Sequence, residues 1–183
     1  MFDLKKVAAC FAFMLSVVGT STATAQQLAS GQTEGAGFLG GVTDGGGLTL
    51  GGGIHYAYRP RLLFVGELGY LTGGSDATLP GVGTVGSSAL SVDLNGHYLF
   101  PQSNNQKLTP YLLAGLGILR ASASVTVLGA TTSVSDTAVG LNIGGGARLQ
   151  AGPNWGVQPE LKVFVSDNSS ARFSVGLYYQ FGH

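Results

Sequence analysis

The sequence is poor in charge. Its nine Lys and Arg residues and nine Asp and Glu residues make up 10% of the 183 positions and cancel to a formal net charge of zero. No basic face can be built from so few cations, which excludes nucleic acid as a partner. Cysteine is almost missing. The single Cys, Cys10, sits in an apolar N-terminal stretch, so the rest of the chain has no thiol for a disulfide or a thiolate metal site. The three His residues have no companions at metal-ligand spacing. Beyond residue 25 no apolar run reaches the ~18 residues that a membrane-spanning helix needs. Gly-x-Ser-x-Gly is absent. The glycine runs at 45–47, 51–53 and 144–146 lack the Lys-Ser/Thr ending of a phosphate loop. The expectation is a chain without metal or cofactor.

What the chain has is glycine, 31 residues of it, set inside runs of Leu, Val, Ile and Tyr. The N-terminus reads as a secretory signal over residues 1–25. Lys5 and Lys6 precede a short apolar core, and Ala23-Thr24-Ala25 offers a small-x-small cleavage site, after which the mature chain would start at Gln26. Val7-Ala8-Ala9-Cys10 has the form of a lipoprotein box, but it opens the apolar core instead of following it, which rules that reading out. Residues 26–33 form a short polar lead on the periplasmic side, and residues 34–183 a single domain.

The last stretch of that domain is the most informative. Read with period two, Phe173, Val175, Leu177, Tyr179 and Phe181 point one way, and Arg172, Ser174, Gly176, Tyr178 and Gln180 the other. A strand with lipid on one side and a polar lumen on the other must alternate in this way. Ser174-x-Gly176-x-x-Tyr179-x-Phe181 resembles the C-terminal assembly signal of bacterial outer-membrane β-barrels, which implies the barrel assembly machinery as a partner. Gly182 and His183, beyond the final aromatic, depart from that pattern.

Seven more alternating segments precede it, at about 34–43, 48–58, 62–71, 87–100, 110–123, 135–150 and 155–166, each meeting the ~9–11 residues of a tilted spanning strand. The fold expected is all-β, an eight-stranded antiparallel transmembrane β-barrel. One set of connections (59–61, 101–109, 151–154) carries Pro, Asn and basic residues. The other set contains or adjoins Asp44, Asp76, Asp136 and Asp167 and no Lys or Arg. With both termini periplasmic, the acidic set is extracellular, where solvated turn aspartates are expected. Tyr56, Tyr58, Tyr98, Phe100, Trp155, Tyr179 and Phe181 gather at the periplasmic ends of the strands with outward parity, as an interfacial aromatic girdle does.

These features, with Thr109-Pro110-Tyr111-Leu112-Leu113-Ala114-Gly115-Leu116-Gly117 and Gly144-Gly145-Gly146-Ala147-Arg148 followed by Glu160, resemble the small outer-membrane barrels of the OmpA/OmpX type, also called porin-family or opacity-like. The resemblance implies the bacterial outer membrane, with its lipid and lipopolysaccharide as surroundings, and a role in surface interaction and envelope integrity.

The inward parity collects the charges: Glu67, Asp93 and Glu160 against Arg148, Lys162 and Arg172, accompanied by His55 and His97. Charge inside a narrow barrel must be paired, so these residues are expected to form a lumenal ion network. Strand pairing sets Arg148 near Gln158 and Glu160, and His55 diagonally near Glu67. The inward glycines at 51, 53, 69, 144, 146 and 176 suggest water-filled pockets above and below it. An enzyme is not expected. A lipid A deacylase of the known eight-stranded kind would want His-x-Ser, whereas His55 precedes Tyr56-Ala57 and His97 precedes Tyr98-Leu99. Two roles remain. One is a structural envelope barrel that meets a surface partner through a long hairpin, 122–128 and 131–135 about a Gly129-Ala130 turn, beside a looser arm at 72–86. The other is a narrow, passive, porin-like pore for small solutes.

Overall fold

The computed structural model describes residues 28–43, 47–73, 77–79, 83–101, 107–127, 130–167 and 169–181. The expected signal segment 1–25 and two of the loop aspartates, Asp44 and Asp76, lie outside them. Nine strands follow one another: β1 (Thr33–Val42), β2 (Leu48–Arg59), β3 (Leu62–Thr72), β4 (Ala77–Leu79), β5 (Gly83–Leu99), β6 (Leu108–Val127), β7 (Ala130–Gln150), β8 (Trp155–Val165) and β9 (Ser170–Phe181). All pairings are antiparallel. Chain-order neighbours pair, β1 joins β9, and β3 skips β4 to pair with β5, so eight of the nine strands close on themselves.

Closure follows from the sequence pattern. Every backbone group in lipid needs an internal partner, and a closed sheet leaves no edge. The period-two residues then sort cleanly. Leu39, Leu50, Ile54, Leu68, Leu94, Leu116, Leu141 and Leu177 are exposed on the outer face, while their sequence neighbours face the lumen. Between β7 and β8 the ladder lapses where Ala147 and Arg148 meet Gln158 and Pro159, and Pro159 has no N–H to give.

The barrel is lopsided. β1, β2, β3, β8 and β9 have 10 to 12 residues. β5, β6 and β7 have 17, 20 and 21 and rise past the others at the end away from the termini. Three expectations are corrected there. The residues of the 72–86 arm include a strand, β4, which pairs Ala77–Leu79 with residues 83–85. β5, β6 and β7 begin at 83, 108 and 130 instead of the expected 87, 110 and 135, because the Thr and Ser residues there hide the apolar period. Of the expected Gly129-Ala130 turn, Gly129 lies outside the described residues, and Ala130 belongs to the strand, paired with Val127.

Candidate functional site

The lumen is stratified. At the end that holds the termini it is apolar, with Ala57, Leu63, Val65, Leu99, Tyr111 and Leu113 packed round Leu28. Leu28 arrives there because the lead does not hang free. Gly31, with φ 89°, turns the chain; its N–H donates to Ala57 O at 2.7 Å, and Ala57 N–H returns a bond to Gln32 O at 2.9 Å. A left-handed turn of this kind suits glycine. The lead therefore extends the sheet for two residues and folds an apolar side chain into the barrel's mouth.

Above this plug lie two charged stations, each tying opposite walls together. In the lower one, Arg148 Nη2 on β7 donates to both oxygens of Glu34 on β1, at 2.7 and 2.8 Å. Gln180 Nε2 adds a bond at 2.9 Å and His55 Nδ1 stands 3.4 Å away. The guanidinium lies over the Tyr178 ring, 4.1 Å from its centroid. In the upper one, Lys162 Nζ on β8 reaches Glu67 Oε2 at 2.6 Å and Asp93 Oδ2 at 2.9 Å. Arg172 on β9 donates to Glu67 Oε1 at 3.2 Å and Glu160 Oε1 at 3.0 Å, with its guanidinium 4.3 Å from the Phe38 ring centroid. Tyr111 Oη closes the set, donating to Glu160 at 2.9 Å and accepting from Gln158 at 2.9 Å.

All eight lumenal residues singled out in the sequence are buried. Their partners differ from those that pairing suggested. Arg148 does stand across from Gln158, but its charge goes to Glu34. His55 lies directly opposite Glu34 in the β1–β2 ladder, while Glu67 is taken by Lys162 and Arg172. His97 stacks on Tyr111 with centroids 4.7 Å apart, and its Nε2 is 4.0 Å from Glu160. Glu34 was missed. It is fully buried, and the signal for it was its even spacing from Phe38, blurred by the glycines between them.

Several of the inward glycines make room for side chains. A Cβ at Gly51 would run into the Phe38 ring, at Gly146 into Tyr111 Oη, and at Gly156 into Tyr178 Oη. Gly51, Gly146 and Gly156 are niches for large lumenal aromatics, whereas at Gly53 and Gly144 an added Cβ would run into the backbone of the neighbouring strand. A cavity of about 50 Å³ lies above the upper station.

Outside, the aromatics of the sequence reading are all exposed, among them Tyr56, Tyr58, Tyr98, Phe100, Trp155, Tyr179 and Phe181. Tyr58 packs on Phe64, Tyr98 on Phe100 and Tyr179 on Phe181, with centroids 5.5 to 5.7 Å apart. They form an arc over β2, β3, β5, β8 and β9, while β6 presents Leu108 and Leu112 at that level. Toward the other end, Tyr70, Leu90 and Arg120 share one outward row across β3, β5 and β6. Arg120, unremarked in the sequence, is exposed there beside Thr137 of β7. Ser174 and Gly176 of the terminal motif face inward, and Tyr179 and Phe181 outward.

A closed antiparallel barrel with an apolar exterior and a charged, hydrogen-bonded interior is the build of a protein that crosses a membrane on strands. The chain belongs to the family described as outer membrane protein beta-barrel domain, which residues 9–181 match. It is a small β-barrel of the bacterial outer membrane. Among solved structures, it resembles the N-terminal β-barrel domain of Pseudomonas aeruginosa OprF, at 17% identity over 84% of this chain and 100% of that one, with a TM-score of 0.61. It also resembles Neisserial surface protein A, at 19% identity over 82% and 95%, TM-score 0.59. A third is Ail, the attachment invasion locus protein of Yersinia pestis, at 18% identity over 82% and 97%, TM-score 0.56. At such identities the likeness is one of fold. Among curated proteins nothing matches the chain.

Proposed function

We propose that this barrel is a non-enzymatic structural element of the envelope whose tall hairpin engages a partner at the cell surface. One observation carries the reading. Along β7, residues 130–140 are paired to β6 on one side, but the ladder to β8 begins only at Leu141 against Val165. Among the described residues no strand pairs with the other side of residues 130–139, which leaves a strand edge there. Short turns belong to the periplasmic end and long extensions to the outside, so residues 130–136 of the edge would stand above the outer leaflet. Their exposed side chains include Val134, and Asp136 is the one charged residue. A long edge with few charges is a template for an added strand. The fold is shared with a protein named for attachment and invasion, which is in keeping with that role.

The rest of the account concerns placement. The aromatic arc would sit at the inner membrane–water boundary and the row of Tyr70 and Arg120 at the outer one, against lipopolysaccharide. Ser174, Gly176, Tyr179 and Phe181 would be read by the assembly machinery, and cleavage after Ala25 would free the chain.

The register supplies a clean test. Ser122 is paired with Ser135, so removing residues 123–134 and joining those serines through Asn-Gly shortens the hairpin without shifting any pair below it. The truncated barrel is expected to fold and insert while cell-surface binding falls. If surface binding, envelope permeability and detergent resistance are all unchanged, the hairpin is a passive loop.

A further inference from the structure

The free edge of β7 is close to a palindrome. From Ala130 to Ala138 it reads Ala-Thr-Thr-Ser-Val-Ser-Asp-Thr-Ala, the same in both directions about Val134 except at Thr132 and Asp136. The β6–β7 register runs unbroken from Leu108 with Leu149 to Val127 with Ala130. At the foot of that ladder Gln150 N–H donates to Lys107 O at 3.0 Å. Bonded and non-bonded pairs alternate in an antiparallel ladder, so the even-numbered residues of β7 bond to β6. Thr131, Ser133, Ser135 and Thr137 therefore turn their N–H and C=O groups to the other side. Among the described residues no strand pairs with them there.

The two faces of this edge are sorted as well. Thr137 shares the outward row of Arg120, and Thr131, Ser133 and Ser135 follow it with the same parity. Val134, Asp136 and Ala138 take the parity of lumenal Asn142. Across the hairpin, β7 already meets hydroxyls with hydroxyls: Ser122 is paired with Ser135, Ser124 with Ser133 and Thr126 with Thr131, the last two oxygens 3.0 Å apart. A strand that fits the free edge offers the same, hydroxyls on one face and small apolar residues on the other. β7 itself has that pattern, and the palindrome presents it equally in reverse.

We propose that the partner of this edge is β7 of a second copy of the chain, paired antiparallel across a twofold axis at Val134. The inference rests on the reading of the edge as the surface that engages a partner, and names that partner. Thr131 of each copy faces Thr137 of the other, and Ser133 faces Ser135, so the free N–H and C=O groups are exchanged in register. Val134 faces its own equivalent. The break in the palindrome sets Thr132 opposite Asp136, where a hydroxyl can donate to the carboxylate; Asp at both positions would oppose two like charges. The contact is isologous and closes as a dimer.

The symmetry also says where the second copy stands. A twofold axis along the membrane normal leaves both strands rising from the same surface and cannot oppose them. The axis lies in the membrane plane instead, so the two copies belong to facing membranes. Their Thr137 residues come about 20 Å apart along the strands, which long surface polysaccharide would prevent and bare or short-chain surfaces permit.

The test uses the full chain refolded in phospholipid nanodiscs, one copy to a disc, which leaves facing discs as the only arrangement. Sedimentation is expected to show paired discs. Thr132→Asp, which sets like charges opposite each other twice, should weaken pairing by about tenfold, and Thr132→Lys, opposite Asp136, should strengthen it by a similar factor. Cross-linking reads the register in a Cys10→Ser background. Val134→Cys should form a disulfide-linked dimer at least tenfold faster than Thr132→Cys or Asp136→Cys alone, and a mixture of the last two should match it, since directly opposed non-bonded pairs lie within disulfide reach. All three positions are exposed, and a folded barrel is checked by its gel shift on boiling. Discs that stay single, or cross-linking that is equal at Val134 and Thr132, would overturn the proposal. If the discs stay single while the hairpin deletion still lowers binding on cells, the edge belongs to a foreign strand and the earlier reading stands alone. Paired discs beside an inert deletion would uphold the contact and remove only the wider surface role.

Discussion

Lys162 on β8 places its ammonium 2.6 Å from Glu67 Oε2 on β3, the strand diametrically across the eight-stranded ring. The bond spans the lumen and fixes the distance between opposite walls. Arg148 and Glu34 do the same one level nearer the termini.

Removing one member of such a pair leaves buried charge behind, which typically costs about 3–5 kcal/mol. Lys162→Met is therefore expected to lower the stability of the refolded barrel by that amount, measured by urea unfolding in micelles with Trp155 fluorescence. The triple variant Lys162→Met, Glu67→Gln, Asp93→Asn removes the charges together and should recover most of the loss. A single variant that costs less than about 1 kcal/mol, the range of a solvated pair, would mean that water screens the station and the walls are held by the sheet alone.

The glycine niches give a second expectation. At Gly146 an added Cβ would meet Tyr111 Oη at 2.6 Å and run into the Pro159 carbonyl. Gly146→Ala should cost about 1–3 kcal/mol, the usual penalty of overpacking. Gly96 is the control, for its Cβ would find only Ala114 O at 3.8 Å. Gly96→Ala should stay within about 0.5 kcal/mol of the parent. Equal costs at both positions would show that Tyr111 does not occupy the niche.

The lead supplies a third. Leu28 is 6% exposed within the apolar plug. Leu28→Ala should cost about 2 kcal/mol, the lower end of buried leucine truncations. Leu28→Asp should release the lead, so that limited proteolysis removes it while β1 to β9 stay protected. A lead cut equally fast in the parent would contradict the packed arrangement.

The legible part of this molecule was the part that period two controls. Arg172, Lys162 and Glu160 were assignable to the lumen because each stands between outward apolar residues, and the aromatics of β2, β5, β8 and β9 showed both face and level. Alternation names a side, however, and not a partner three or four strands away. Hence Glu34 went unseen as the counter-charge of Arg148. Leu28 escaped for another reason: one apolar residue in a polar lead has no period, and only the turn at Gly31 carries it inward. β4 lies in a stretch rich in Gly and Pro, where local propensity speaks against a strand and the pairing with residues 83–85 overrides it.

The proposal that this barrel acts through its outer surface and not by conduction rests on a charge-tied lumen with an apolar plug at the end that holds the termini. Single-channel recording of the refolded full chain in a planar bilayer tests it most directly. An eight-stranded barrel has an interior about filled by its own side chains, and here Leu28, Leu63, Leu99 and Tyr111 fill the periplasmic end. The account predicts a baseline without steady open-channel steps. Reproducible steps of constant size, lost when Gly69→Trp fills the lumen, would contradict it and establish the narrow pore.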